Sequence, residues 1–212
     1  LGLFCILAIG SNMTATSPDG INWICHTISI TAHWRSFCWS PELGLFCAVA
    51  GSNSNIAATS PDGVKWTQQT LTLSTYWTSV CWSPKLGLFA AVVSNTTNNI
   101  VATSPNGINW TQRGLPVISN WQSHSICWSP ELGLFCVVPI NGNTVATSSN
   151  GINWVSQTLP ITIDCRAICW SPELNLFCIV AGNNITLTSN DGINWRHRYL
   201  PITIGCRAIC WS

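Results

Sequence analysis

The stretch C-W-S-P-E-L-G-L-F-C occupies Cys38–Cys47 and returns unchanged at Cys127–Cys136. It reads C-W-S-P-K-L-G-L-F-A at Cys81–Ala90 and C-W-S-P-E-L-N-L-F-C at Cys169–Cys178. A further copy is divided between the ends of the chain, with C-W-S at Cys210–Ser212 and L-G-L-F-C at Leu1–Cys5. The repeat tryptophans Trp39, Trp82, Trp128, Trp170 and Trp211 are spaced 43, 46, 42 and 41 residues apart. That is the length of a four-stranded propeller blade. A motif rebuilt by joining the two termini is what a ring requires, because a sheet completed by both ends leaves no exposed edge.

A second marker, S-x-[D/N]-G-x-x-W, follows in each unit at Ser17–Trp23, Ser60–Trp66, Ser104–Trp110, Ser148–Trp154 and Ser189–Trp195. Proline suits the second position of a type I turn, Asp or Asn the third, and glycine the positive-φ position after it. Asp19, Asp62, Asn106, Asn150 and Asp191 are therefore expected to be structural turn residues. The P-E-L-G segment is a second hairpin closed by Gly44, Gly87 and Gly133, with Asn175 in the fourth copy. Asn is the residue besides glycine that best tolerates the left-handed conformation. Each unit then reads as four short strands, A to D, and no helical periodicity interrupts them. The expected fold is all-β: a single five-bladed β-propeller over residues 1–212 with four antiparallel strands per blade. Its units run over roughly 1–40, 41–83, 84–129, 130–171 and 172–212, and N-terminal strands B, C and D pair with a C-terminal strand A to close it.

The second marker resembles the Asp-box (BNR-type) repeat of sialidase-like β-propellers. The combination of W-S-P-E-L-G-L-F with T-S-P-D-G-I-N-W is similar to five-bladed repeat propellers of giant DNA viruses and phages, over essentially the whole chain. It departs from the usual Asp box, which has one residue between Asp and Gly and Thr before Trp. The resemblance implies the fold strongly and an activity weakly, since such boxes are structural in the families that carry them. Five short-repeat blades also resemble the tachylectin type of sugar-binding propeller, though only in architecture.

Charged residues make up 7% of the chain and the formal net charge is +1. Phosphate backbones need clustered Lys and Arg, so nucleic acid is not an expected partner. No apolar run reaches the roughly 18 residues of a membrane span, and no signal-peptide pattern opens the chain. The expectation is a monomer with an unknown protein or glycan partner, no cofactor, and a lean toward a reducing intracellular compartment.

Twelve cysteines need an account. With P-E-L-G as the loop, Cys38 faces Cys47, Cys127 faces Cys136, Cys169 faces Cys178 and Cys210 faces Cys5. Opposed residues have Cα atoms about 4.5–5.5 Å apart, within disulfide reach. Cys81 faces Ala90 instead, which favours small buried thiols over bridges. The C-x3-C pairs Cys165/Cys169 and Cys206/Cys210 would hold their sulfurs about 13 Å apart on a strand, too far for zinc, so no metal is expected.

Three residues before each strand-A cysteine stand Arg35, Thr78, His124, Arg166 and Arg207, a position expected near one mouth of the channel. Cations there suit an anion. Trp34, Trp77 and Trp121 precede strand A and do not recur in every unit, which marks them as candidate stacking surfaces for a ligand. No carboxylate pair at glycosidase spacing and no Ser-His-Asp set is visible, so no catalytic residue and no enzymatic activity is expected. The resulting expectation is a binding or structural scaffold whose B–C connections (Gly51–Asn55, Ser94–Asn99, Pro139–Asn143) and D–A connections (His33, Tyr76, Asn120, Asp164) meet a partner. The alternative is a multivalent lectin with equivalent inter-blade pockets.

Overall fold

The computed structural model describes residues 1–94, 99–117, 125–201 and 205–211. The first repeat supplies β1 (Phe4–Leu7), β2 (Ile9–Ser17) and the opening half of β3 (Ile24–Ser40). The second supplies the rest of β3 with β4 (Leu45–Ala50), β5 (Ser54–Ser60) and β6 (Thr67–Thr75). The third holds β7 (Trp77–Ser83), β8 (Leu88–Val93), β9 (Ile100–Ser104) and β10 (Thr111–Gly114). The fourth holds β11 (Ile126–Ser129), β12 (Leu134–Val137), β13 (Gly142–Ser148) and β14 (Val155–Ile163). The last holds β15 (Cys165–Ser171), β16 (Leu176–Ala181), β17 (Ile185–Ser189) and β18 (Arg196–Tyr199).

These strands make one six-stranded and three four-stranded sheets, all antiparallel. The larger sheet arises because β3 runs unbroken from the D position of one repeat to the A position of the next, pairing β2 and then β4. Three of the expected D–A loops are absent or minimal: His33 lies inside β3, while Tyr76 and Asp164 are single-residue breaks between strands; Asn120 lies outside the described residues.

The turn chemistry explains where strands stop. Gly44, Gly87 and Gly133 sit at φ of 58°, 59° and 60°, and Asn175 at 48°. That register places Cys38 against Cys47, Cys127 against Cys136, Cys169 against Cys178 and Cys81 against Ala90. At the other hairpin, the amides of Val64 and Lys65 donate to the Asp62 carboxylate at 2.8 and 2.7 Å. Ser60 accepts from the Gly63 amide at 2.8 Å, and the Trp66 indole donates to the Gly63 carbonyl at 2.9 Å. Asp19, Asn106, Asn150 and Asp191 accept from the equivalent pairs of amides in the other repeats.

Strands at the B and C positions of the inner repeats are buried on both faces, since those repeats pack between two neighbours. Leu45–Ala50 and Leu88–Val93 are buried almost throughout. Cores form at the joints between successive repeats. Cys5 and Leu7 meet Trp34, Phe46 and Trp66; Val49 and Leu71 meet Trp82, Phe89 and Trp110. Val92 and Leu115 meet Trp128, Phe135 and Trp154; Val138 and Leu159 meet Trp170, Phe177 and Trp195. At about 1.5–3 kcal/mol for each large apolar side chain buried, these joints outweigh any single ladder hydrogen bond.

Closure into a five-bladed ring is where the expectation departs from the structure. There are four sheets, none closed, and residues 205–211 form no strand with β1. The tail is held on the last repeat instead: the Cys206 amide donates to the Ala181 carbonyl at 3.2 Å, and the Trp211 indole donates to Glu173. The Cys5–Cys210 pairing is therefore not formed, and Phe4 is 57% exposed where Phe89, Phe135 and Phe177 are fully buried.

Candidate functional site at the strand A bulges

Three A strands, in β3, β7 and β15, open with an irregular ladder. Trp34 pairs with Ala50 and Ser36 with Val49, leaving Arg35 as the extra residue between them. Trp77 and Ser79 pair with Val93 and Val92 and leave Thr78; Cys165 and Ala167 pair with Ala181 and Val180 and leave Arg166. A bulge of this kind bends its strand and re-aims one side chain, which is why bulges gather at rims and sites.

The B–C connection makes room for what the bulge projects. A Cβ on Gly51 would come within 3.0 Å of Arg35 Cγ and 3.1 Å of its Nε. A Cβ on Gly182 would lie 2.5 Å from Asp164 Oδ2 and 3.0 Å from Arg166 Nε. Ser94 takes the corresponding place beyond Thr78, where the projected side chain is short. The amides of Gly51, Ser94 and Gly182 donate to the carbonyls of His33, Tyr76 and Asp164 at 2.9, 2.7 and 2.9 Å. In these three sheets one hydrogen bond thus ties the B–C connection to the residue two before the bulged one.

The individual side chains differ. Arg35 is exposed, whereas Arg166 is part-buried and paired with Asp164. The other carboxylate oxygen of Asp164, Oδ1, is buried without a hydrogen-bond partner. Thr78 is buried and its hydroxyl donates to the Val92 carbonyl at 3.2 Å. Arg207 is exposed on the tail, outside any strand. His124 and Trp121 lie outside the described residues.

Trp34 and Trp77 do not offer the stacking faces expected of them, being 2% and 0% exposed. Both sit at the head of strand A within the cores at the joints, and Cys165 fills that position in the last repeat. The Trp77 indole donates to the Leu73 carbonyl at 3.0 Å, while the Trp34 indole nitrogen is buried and unpartnered. Trp34 and Arg35 line a cavity of about 200 Å³ together with Leu7, Ile9, Ser36 and Phe37. A buried unpaired donor carries a desolvation cost that a ligand oxygen would relieve.

Two groups escaped the sequence reading. Asp164 was seen only as a connection residue, although its place two before Arg166 was a signal for an ion pair. The glutamates of P-E-L-G are the second group. Glu42 accepts from the Trp82 indole at 2.6 Å and Glu131 from the Trp170 indole at 2.5 Å, each across a joint.

No family model and no curated protein matches this chain. Solved structures do. A catalytically inactive virginiamycin B lyase from Staphylococcus aureus with quinupristin superposes with a TM-score of 0.80 at 12% identity, covering 95% of this chain and 67% of that one. A streptogramin B lyase gives 0.73 at 14% identity, covering 92% and 63%. YCF48 bound to D1 peptide gives 0.64 at 14% identity, covering 90% and 62%. The chain thus spans under two thirds of the streptogramin B lyase and YCF48 chains. These neighbours are β-propellers, and at such identity the likeness shows that fold and nothing finer. It also overturns the expectation that the chain is not an enzyme: the neighbouring propellers include lyases, so the missing glycosidase pair and triad exclude two chemistries and not catalysis.

Proposed function

We propose that this propeller is a binding module that takes an anion-bearing ligand, such as an acidic peptide segment, at the face where the strand A bulges emerge. The observation that carries the reading is the recurrence of the bulge, with Arg35 and Arg166 each laid over a glycine of the B–C connection. A side chain re-aimed at one ladder position in several sheets, and varied between Arg and Thr, suits recognition better than packing. Arg presents a planar fork of donors matched to carboxylates. The bound quinupristin and D1 peptide in the neighbouring structures support binding as a use of this fold. Burial of Trp34 and Trp77 takes those two away as stacking platforms for a lectin reading. The five repeats are taken as the blades of one ring.

Calorimetric titration with a penta-aspartate peptide tests the proposal, with penta-asparagine as the neutral control. Binding of the acidic peptide alone, weakened about tenfold or ~1.4 kcal/mol by Arg35→Ala, is expected. Equal binding of both peptides, or no effect of Arg35→Ala, overturns it. Mass spectrometry of the same mixtures reports whether the ligand is also turned over.

A further inference from the structure

The loops at the two ends of the sheets differ in kind. In each repeat the start of the B strand lies beside the end of the C strand, as Phe46 lies beside Ser60 and Phe135 beside Ser148. The P-E-L-G hairpin and the turn that follows the C strand therefore leave from the same end. The joints hold these ends side by side, because the turn glycine of one repeat sits against a threonine of the preceding C strand. A Cβ on Gly63 would meet Thr16 Cγ2 at 3.2 Å and one on Gly107 would meet Thr59 Cγ2 at 2.8 Å. On Gly151 and Gly192 it would meet Thr103 and Thr147 Cγ2, each at 3.6 Å. Hairpins and turns thus make one face, and the bulges with Arg35 and Arg166 emerge at the other.

The hairpin face is apolar where turn chemistry asks for nothing apolar. The residue after the turn glycine contributes its amide to the Asp or Asn side chain, and any side chain serves for that. It is nonetheless Ile21, Ile108, Ile152 and Ile193, between 46% and 81% exposed, with Val64 half-buried. In the hairpins Leu43, Leu132 and Leu174 are exposed as well. The B–C connections at the opposite end expose Ser52, Asn53, Asn141 and Asn183, as solvated loops do. Large apolar side chains repeated at fixed exposed places on one face mark a contact surface.

The charge on this face says what it meets. Six of the seven carboxylates belong to these loops, Asp164 being the other, and Lys65 and Lys85 are the cations among them. Glu42 and Glu131 give Oε2 to an indole of the next repeat yet stay exposed, so each still offers Oε1 to a cation. Acid repels acid, which disfavours the same face of a second copy and an anionic lipid surface alike.

We propose that the hairpin face is a docking surface for a cationic peptide segment that carries apolar side chains. Its lysines or arginines pair with the glutamates, and its apolar groups cover the exposed isoleucines and leucines. Charge complementarity sets the occupant. The claim is separate from binding of an acidic ligand at the bulge face, since the two faces lie at opposite ends and share no residue.

Fluorescence anisotropy of a labelled, alternating Lys-Leu peptide tests the inference, with Lys-Ser and Glu-Leu peptides of the same length as controls. The Lys-Leu peptide should bind at least about tenfold tighter than either control. Ile108→Asn with Ile152→Asn should weaken it about tenfold, while Arg35→Ala leaves it unchanged. Ile21→Asn with Ile193→Asn is the second pair, used if circular dichroism shows the first unfolded. Equal binding of the Lys-Ser peptide reduces the face to diffuse charge and overturns the proposal. Equal binding of the Glu-Leu peptide, or binding that a folded isoleucine variant leaves intact, overturns it too. Sedimentation velocity of the protein without peptide completes the test. Association that grows with concentration and is lost in the isoleucine variants assigns the face to a second copy and overturns the proposal.

Discussion

Trp82 donates its indole N–H to Glu42 of the preceding repeat at 2.6 Å, and 40 residues of chain separate the two. The contact is charge-assisted and fixes how one sheet meets the next, because the donor is buried on one sheet and the acceptor belongs to the hairpin of the other. Truncating Glu42 leaves the indole N–H unpaired, at about 1–3 kcal/mol. Glu42→Ala should lower the unfolding free energy by about that amount, and Glu42→Gln by less. Urea titration followed by circular dichroism measures both.

The third repeat lacks this contact. Lys85 stands where the other hairpins have glutamate, and the buried Trp128 indole nitrogen has no partner. Lys85→Glu should restore the acceptor and stabilise the protein by about 1 kcal/mol. An unchanged denaturation midpoint would show that the Trp128 N–H is satisfied by water.

The turn carboxylates make stability depend on acid. Burial is the largest single influence on Asp191 and raises it, but the hydrogen bonds from Asn194, Ile193 and Ser189 together outweigh it and hold the carboxyl at about 2. Asp62 is lowered on the same pattern, burial raising it and the Lys65 and Val64 amides, the Ser60 hydroxyl and the Lys65 charge together outweighing that. A carboxyl depressed in the folded state stabilises above its unfolded pKa of 3.8, and that contribution is lost as pH falls toward the folded value. Asn106 and Asn150 make the same backbone contacts without a charge. Asp62→Asn with Asp191→Asn should therefore flatten the fall in melting temperature between about pH 4 and pH 2.

Thiol reactivity should divide sharply. Cys25 and Cys210 are exposed, while burial pushes Cys47, Cys38, Cys136 and Cys81 far up and Cys127 to about 12. Ellman's reagent at pH 8 should modify Cys25 and Cys210 first, with all 12 thiols reacting after unfolding. A thiol raised in the folded state favours folding below its unfolded pKa of 9.0 and loses that contribution as pH climbs toward the folded value. Alkaline destabilisation from about pH 9 upward is the matching equilibrium result.

Local chemistry was legible in the sequence wherever a turn imposed it. Asn175 in the place of glycine disclosed the positive-φ position, and the register Cys38 to Cys47 followed from hairpin length alone. What escaped reading depends on surfaces meeting across joints. Trp34 and Trp77 stand apart in the sequence because they do not recur, yet they are as buried as the tryptophans that do, packed into the cores at the joints with Phe46 and Trp66 and with Leu71 and Phe89. The bulge position was found by counting from the repeat cysteines. The glycines opposite it and the Asp164 partner belong to another strand or to the break before it, and no spacing rule links them. That propellers of this fold include lyases is carried by the neighbours and by no motif in the sequence.

Because a turn on one flank of a repeat and a threonine pocket on the other recur at every joint, any duplicated repeat arrives with both halves of its own interface. Gene duplication can then lengthen or shorten such an array in whole sectors without redesigning a contact. The side chain at each bulge remains free to diverge on its own, one sector at a time.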